Sequence, residues 1–264
     1  MNGRVLVIAG SDSGGGAGIQ ADIKTITTLG GYAAIAITAL TAQNTLGISS
    51  VHVVPAKFVA DQICVVIKDI GADCIKTGML QNAEIINSVA DVLGKISREI
   101  PIVVDPVMIS KSGVFLLEKS AQAALVKELF PMLTLITPNI PEAEVLCGKR
   151  ISSVNDMYTA GREIRRSGAR AVLVKGGHLD GDVLSDVLIC DDGEFIFHNK
   201  RINSSNTHGT GCTLSSAIAV GISQGIQLQE SIKRARDYLY EAISEAPGFG
   251  SGYGPVNHNV TIRK

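Results

Sequence analysis

Short apolar runs alternate along the chain with longer stretches whose apolar positions recur at helical spacing. Arg4 to Ala9 is almost continuously apolar and predicts a buried strand, and Ala17 to Leu29 carries Ile19, Ile23 and Ile26 on one helical face. Gly30-Gly31 stops that helix, and Ala33 to Leu40 predicts a second strand. Next come a helix over Phe58 to Ile70, a short strand at Cys74 to Lys76 and a helix over Ile85 to Ile96. Beyond Pro101 the pattern predicts a strand at Ile102 to Asp105, a helix at Ala121 to Phe130, a strand at Thr134 to Thr137 and a short helix at Pro141 to Leu146. Met157 to Arg166 is again helical and Ala171 to Lys175 extended. Val183 to Cys190 and Glu194 to Asn199 flank the turn signal Asp191-Asp192-Gly193, which predicts an antiparallel hairpin. Thr210 to Ser223 and Ser231 to Ala246 are the last helices.

Strands alternating with helices imply right-handed βαβ units and a mostly parallel central sheet. The expected class is therefore α/β, a three-layer α/β/α arrangement with one short antiparallel hairpin. No linker, repeat or low-complexity stretch interrupts the 264 residues, so the expectation is one domain over 1–264. Composition agrees: 45% hydrophobic residues with only 4% aromatic suits a Val/Ile/Leu/Ala-rich sheet covered on both faces.

A net charge of −1 without a dense basic run argues against nucleic-acid binding. The longest apolar runs fall short of a bilayer span, and Val5 to Ala9 is too short for a signal peptide, so the expectation is a cytoplasmic protein with no membrane partner. Five cysteines without a C-x-x-C pair argue against a disulfide framework and a structural zinc site. Cys64, Cys74, Cys147 and Cys190 sit in apolar stretches and read as small buried hydrophobes; Cys212 does not.

In such a sheet, ligands bind beyond the carboxyl ends of the strands. Polar and glycine-rich residues cluster at those exits: 10–18, 41–45, 77–80, 105–113, 137–142 and 175–178. No G-x-x-x-x-G-K-[ST] occurs, and the 14–18 glycine run lacks G-x-G-x-x-G spacing, so P-loop and dinucleotide folds are not supported. Thr207-His208-Gly209-Thr210-Gly211-Cys212 opens a helix. Its glycines allow a tight turn whose N–H groups converge, and the helix N-terminus adds positive charge, which suits an anion such as a transferring phosphoryl group. At a helix start the Cys212 thiol pKa should be pulled down; a plain glycine turn with a buried cysteine fits the same residues.

Asn139 and Glu142, at a strand exit before a short helix, suit Mg²⁺ held through water, and equally an N-cap with a first-turn acid. Lys175, before Gly176-Gly177-His178, suits phosphate, or a lysine reaching out from a strand end. Gly10 to Gly18 with Asp22 leaves the first strand as a substrate loop would. Gln43 and Asn44 follow the second strand, where an amide offers an acceptor and two donors to a heteroaromatic edge. Helix capping and loop hydrogen bonding explain these residues as well.

Taken together, these motifs resemble the ribokinase-like superfamily and, within it, the bacterial hydroxymethylpyrimidine/phosphomethylpyrimidine kinases of thiamin biosynthesis. The matching stretches are Ile8 to Asp12, Gly15 to Asp22, Thr38 to Thr45, Lys76 to Leu80, Val104 to Met108, Thr137 to Asn139, Lys175 to His178 and Gly209 to Cys212, spread over essentially the whole chain. The resemblance implies ATP-dependent phosphorylation of the pyrimidine hydroxymethyl group and then of the monophosphate. It implies that Gln43 bonds the aminopyrimidine edge, with Gly10, Asp22, Met79 and Val107 around the ring. Gly209, Thr210, Gly211 and Cys212 would form the anion hole, Lys175 and Asn139 would meet the nucleotide, and Glu142 with Asp105 would organise Mg²⁺. A homodimer is implied too. Many sugar kinases of the superfamily place an Asp base where this chain has Cys212, which opens the question of a thiolate base. Competing readings are a pyridoxal kinase, a non-catalytic binding module on the same fold and, least supported for want of that Asp and of an evident antiparallel lid, a sugar kinase. Ser110 to Val114 has the small residues of a closing flap.

Overall fold

The computed structural model describes residues 1–96, 100–108 and 119–261; the expected flap at 110–114 lies outside them. Strand β1, Arg4–Asp12, shows why an unbroken apolar run predicted burial on both faces. Leu6 and Ile8 join one core cluster while Val5, Val7 and Ala9 join another on the opposite face. Helix α1 (Gly18–Thr28) leads to β2 (Tyr32–Asn44), β3 (Gly47–Val53) and α2 (Ala56–Asp69). These are followed by β4 (Cys74–Thr77), α3 (Ala83–Leu93), β5 (Ile102–Val104) and α4 (Lys119–Ala124). Then come β6 (Leu135–Ile136), α5 (Ile140–Cys147), α6 (Val154–Arg166) and β7 (Val172–Lys175). The chain closes with β8 (Val183–Cys190), β9 (Gly193–Lys200), α7 (Thr210–Ser223) and α8 (Leu228–Ser244).

All nine strands form one sheet in the order β3-β2-β1-β4-β5-β6-β7-β8-β9. The six from β2 to β7 are parallel, and β3, β8 and β9 are antiparallel to their neighbours. Helices α2, α3, α5 and α6 pack into the core on one face, and α1, α7 and α8 into that on the other. Strand order reverses direction between β1 and β4, which marks the crevice where this architecture binds ligands. No described helix is long and apolar enough to cross a membrane.

Three differences from the sequence reading have physical causes. The second strand runs to Asn44 and folds back as β3, giving the antiparallel ribbon that the pattern did not reveal. Strand β3 is exposed or half-exposed throughout, so it shows no alternation. The helix expected to reach Phe130 stops at Ala124, widens into a π turn over Leu125–Leu129 and ends in a 3₁₀ turn at Phe130–Met132, where Pro131 has no N–H to continue it. Of the cysteines expected to be buried, Cys74 and Cys190 are; Cys147 is half-buried and Cys64, on α2, is exposed.

Candidate active site

A cavity of about 460 Å³ runs along the carboxyl ends of the parallel strands. At one end lie Gly10, Gln43, Met79 and Val107; at the other, Asp186, Asn199, Arg236 and Tyr240. Between them stand Lys76, Asp105, Glu142 and Lys175 against the turn from Gly209 to Cys212, with Asn139 beside them.

Gly209 is the N-cap of α7 and takes φ +78°, a left-handed conformation that an L side chain resists. A Cβ there would also sit 1.9 Å from the Gly16 carbonyl oxygen, so this turn and the 14–18 loop touch backbone to backbone. Thr210 N donates to the Thr207 carbonyl oxygen at 3.4 Å, while the amides of Gly211 and Cys212, in the first turn of α7, have no intrahelical acceptor and belong to residues that line the cavity. Gly211 permits the second close approach: a Cβ on it would lie 3.3 Å from both Lys175 Nζ and Asp105 Oδ2. The expected anion site and the expected phosphate lysine are therefore in contact.

Lys175 Nζ donates to Asp105 Oδ1 at 3.0 Å, and this ion pair is largely buried. Burial works against the Lys175 charge, but Asp105 and Glu142 outweigh it and raise its pKa. Asn139 and Glu142 form a reciprocal capping box on α5, Glu142 N to Asn139 Oδ1 at 2.9 Å and Asn139 N to Glu142 Oε2 at 2.8 Å. Thus Asn139 and Glu142 serve the cap and still line the cavity. Burial pushes the Glu142 carboxyl up to about 7, with the Asp105 charge adding to the effect and Lys175 opposing it. Above pH 7, where Glu142 is ionised, two carboxylates face one lysine and leave a surplus of negative charge. Among the described residues no cluster of three or more His, Cys, Asp or Glu side chains could ligate a metal directly. The arrangement suits a hydrated divalent ion held through water beside phosphates, which is how Mg²⁺ commonly binds.

Asp22 does not line the cavity. It lies behind the wall with no exposed surface, where Lys76 Nζ meets its Oδ1 at 2.9 Å and the Ser216 hydroxyl donates to the same oxygen at 2.7 Å. Helices α1 and α7 are thereby tied to β4 beneath Cys212. The expectation of a lowered Cys212 pKa is reversed, for burial pushes the thiol up to about 12 against the pull of Lys76. Desolvation together with the nearby Asp22 and Asp105 charges outweighs Lys76 and the Gly18 amide, which favour the thiolate.

Two groups escaped the sequence reading. Asp12 accepts from the amides of Gly14, Gly16 and Ala17, and its Oδ2 lies 2.8 Å from His208 Nε2. Burial opposes the Asp12 charge, but His208 and those amides hold its pKa below the usual carboxylate value. Gln43, with Oε1 at 3.1 Å from Thr41 Oγ1 and Nε2 at 3.4 Å from His208 Nε2, joins that cluster. At the far end Arg236 pairs with Asp186 and Asn199, and Asp186 accepts from the Gly176 amide at 2.8 Å. The signal for the first was a histidine adjoining the Gly209 turn. For the second there was none, because its members lie on β8, β9 and α8.

The family model described as "Phosphomethylpyrimidine kinase" matches residues 12–257. The thiamine biosynthesis bifunctional protein ThiED of Geobacter sulfurreducens is 52% identical over 256 residues; the match covers 97% of this chain and 52% of that protein, about half its length. A hydroxymethylpyrimidine/phosphomethylpyrimidine kinase of Rhizobium meliloti is 46% identical, with 98% of this chain and 97% of that one covered. Among solved structures, a phosphomethylpyrimidine kinase from Clostridium difficile superposes with a TM-score of 0.81 at 43% identity, covering 91% of this chain and 99% of that one. A Staphylococcus aureus pyridoxal kinase in complex with AMP-PCP and pyridoxal gives a TM-score of 0.90 at 33% identity, covering 100% of this chain and 96% of that one. With a family model matched from residue 12 to residue 257, and full-length relatives well above 40% identity, the chain belongs to the phosphomethylpyrimidine kinase family.

Proposed function

We propose that the chain transfers the γ-phosphoryl group of ATP to the hydroxymethyl oxygen of 4-amino-5-hydroxymethyl-2-methylpyrimidine, and then a second one to the monophosphate. The observation that carries this reading is the contact at Gly211. The amide turn, Lys175, Asp105 and Glu142 converge on one point of a cavity whose lining also includes Gln43, Met79 and Val107. The kinship with relatives named for these two activities supports the substrate, and a structural neighbour bound to AMP-PCP supports the nucleotide.

In the first transfer the hydroxymethyl oxygen bonds to the γ-phosphorus, the bond from that phosphorus to the β–γ bridging oxygen breaks, and ADP leaves with the electron pair. The amides of Gly211 and Cys212 hold the charge on the equatorial oxygens, and Lys175 holds the β- and γ-phosphates. Glu142 and Asp105 would hold Mg²⁺ through water, and the ion supplies charge neutralisation of the phosphates when bound. Such transfer passes through a loose transition state that needs little general base. With a neutral thiol, Cys212 closes the anion site, and the hydroxyl proton passes late, as the new P–O bond forms, to an oxygen of the transferred phosphoryl group. We also propose the homodimer implied by kinship, joined along the exposed edge strand β3, with Val51 and Val53 outward; light scattering giving the 27.7 kDa of one chain would overturn it.

The second reading is a pyridoxal kinase, favoured by the superposition on the pyridoxal-bound enzyme. Gln43 separates the two. Gln43→Met should cost pyrimidine turnover far more than pyridoxal turnover, and equal losses would undo the assignment.

A further inference from the structure

A hydrogen-bond constraint and an electrostatic one meet on the Gln43 side chain. Thr41 Oγ1 lies 2.9 Å from the Ser11 carbonyl oxygen and 3.1 Å from Gln43 Oε1. A hydroxyl has a single proton and a carbonyl only accepts, so that proton goes to Ser11. Thr41 then offers Gln43 lone pairs alone, which call for the amide nitrogen. On the other side, Asp12 is a charged acceptor held by three backbone amides, so the His208 Nε2 at 2.8 Å from it carries a proton. That single proton goes to Asp12, and the Gln43 atom 3.4 Å from the same N–H faces its positive end, where an amide oxygen is favoured and a second donor is repelled. The two ends of an amide have nearly the same shape, and their neighbours assign them. Both neighbours favour the same half-turn of the group.

We infer that Thr41 and the Asp12–His208 pair are positioning residues: they lock the Gln43 amide with nitrogen toward Thr41 and oxygen toward His208, and so fix the donor–acceptor order the site accepts. This rests on the proposal that an aminopyrimidine binds at Gln43, and it deepens that reading. His208 immediately precedes Gly209, so the locked edge has its acceptor beside the anion turn and its donor away from it. On the substrate the 4-amino donor adjoins the carbon bearing the hydroxymethyl group, and the ring N3 acceptor lies on its far side. Matching the two edges turns the hydroxymethyl oxygen toward Gly209. A 4-oxo analogue presents the opposite order, an oxygen where the amino group was and an N–H in place of the N3 lone pair, and meets like with like.

The test is the ratio of kcat/KM for the 4-amino substrate to that for its 4-oxo analogue, in wild type, Thr41→Val and Thr41→Ser. Wild type should prefer the amino compound. Thr41→Val keeps the shape but removes the lone pairs that hold the amide. The ratio should then fall about five- to tenfold, the worth of one hydrogen bond, through KM of the pyrimidine, with KM of ATP unmoved. Thr41→Ser should restore the ratio, a recovery that a merely structural role would not produce. Thr41→Ala serves as second variant should the valine be poorly folded. An unchanged ratio in both Val and Ala variants would overturn the inference. Wild type turning over neither compound would instead remove the functional reading beneath it, and the two failures are distinguishable.

Discussion

Lys76→Met isolates the charge under the site. In the folded chain Lys76 and Asp22 have no exposed surface, and among the described residues the ammonium at 2.9 Å is the only cation bonded to that carboxylate. Burial lifts the Asp22 pKa above its ordinary value even with Lys76 pulling it down, and the second oxygen, Oδ2, has no hydrogen-bond partner among the described residues. Removing the lysine leaves a buried carboxylate with the Ser216 hydroxyl but no countercharge, a change that typically costs about 3–5 kcal/mol. For a chain of this size that corresponds to a melting temperature lower by roughly 6–20 °C. Because the pKa of Asp22 is raised, the unfolded chain gives up this proton at a lower pH than the folded one does. The loss should therefore be larger at pH 8 than at pH 5, where the stranded carboxyl takes a proton. Lys76→Met/Asp22→Asn removes both charges and should recover much of the stability at pH 8. Calorimetric melts of wild type, both single variants and the double variant measure this coupling directly. A double variant no more stable than Lys76→Met would refute the reasoning.

At Cys212, a thiol pushed up to about 12 should resist iodoacetamide at pH 8 while the exposed Cys64 reacts, as mass spectrometry of the labelled peptides would report. Cys212→Ala should keep turnover within about tenfold, because a true general base contributes about 10²–10⁴-fold; a loss in that range would assign it the proton after all. Glu142, at about 7 against an ordinary 4.5, holds a proton in the folded chain that the unfolded chain has lost between those values. Its contribution to stability therefore falls as pH rises through that window and levels off above it. Urea unfolding should show this slope in wild type but not in Glu142→Gln, and identical slopes would contradict it. Gly211→Ala places a methyl against Lys175 and Asp105. It should cut kcat by about tenfold or more for loss of one preorganised charge contact, with the melting temperature nearly unchanged; full kcat would break the link between the turn and Lys175.

The sheet was legible because burial on both faces leaves an unmistakable mark: Val5 to Ala9 and Ala171 to Lys175 can be little else than central strands. So was the turn at Gly209, since two glycines bracketing a threonine before an apolar helix announce their geometry locally. What escaped was decided by distant partners. Strand β3 exists through pairing with the polar end of β2, and Lys76 is a lysine in a four-residue strand whose role depends on Asp22, 54 positions earlier. The Cys212 pKa failed for a related reason. The helix N-terminus is visible in sequence, whereas the burial that reverses its effect is not. Asp22 was placed in the ring pocket by kinship, and the structure turns its carboxylate to Lys76 and Ser216 instead.

The central claim is that one cavity joins an aminopyrimidine edge at Gln43 to a phosphoryl site at Gly209–Cys212. ADP formation measured side by side with the free hydroxymethylpyrimidine, its monophosphate and pyridoxal tests it most directly. The account predicts Mg-ATP-dependent turnover of both pyrimidines, with pyridoxal at least about tenfold poorer in kcat/KM for want of the edge that Gln43 recognises. Pyridoxal turned over as well as the pyrimidines, or no ADP from either pyrimidine, would contradict it.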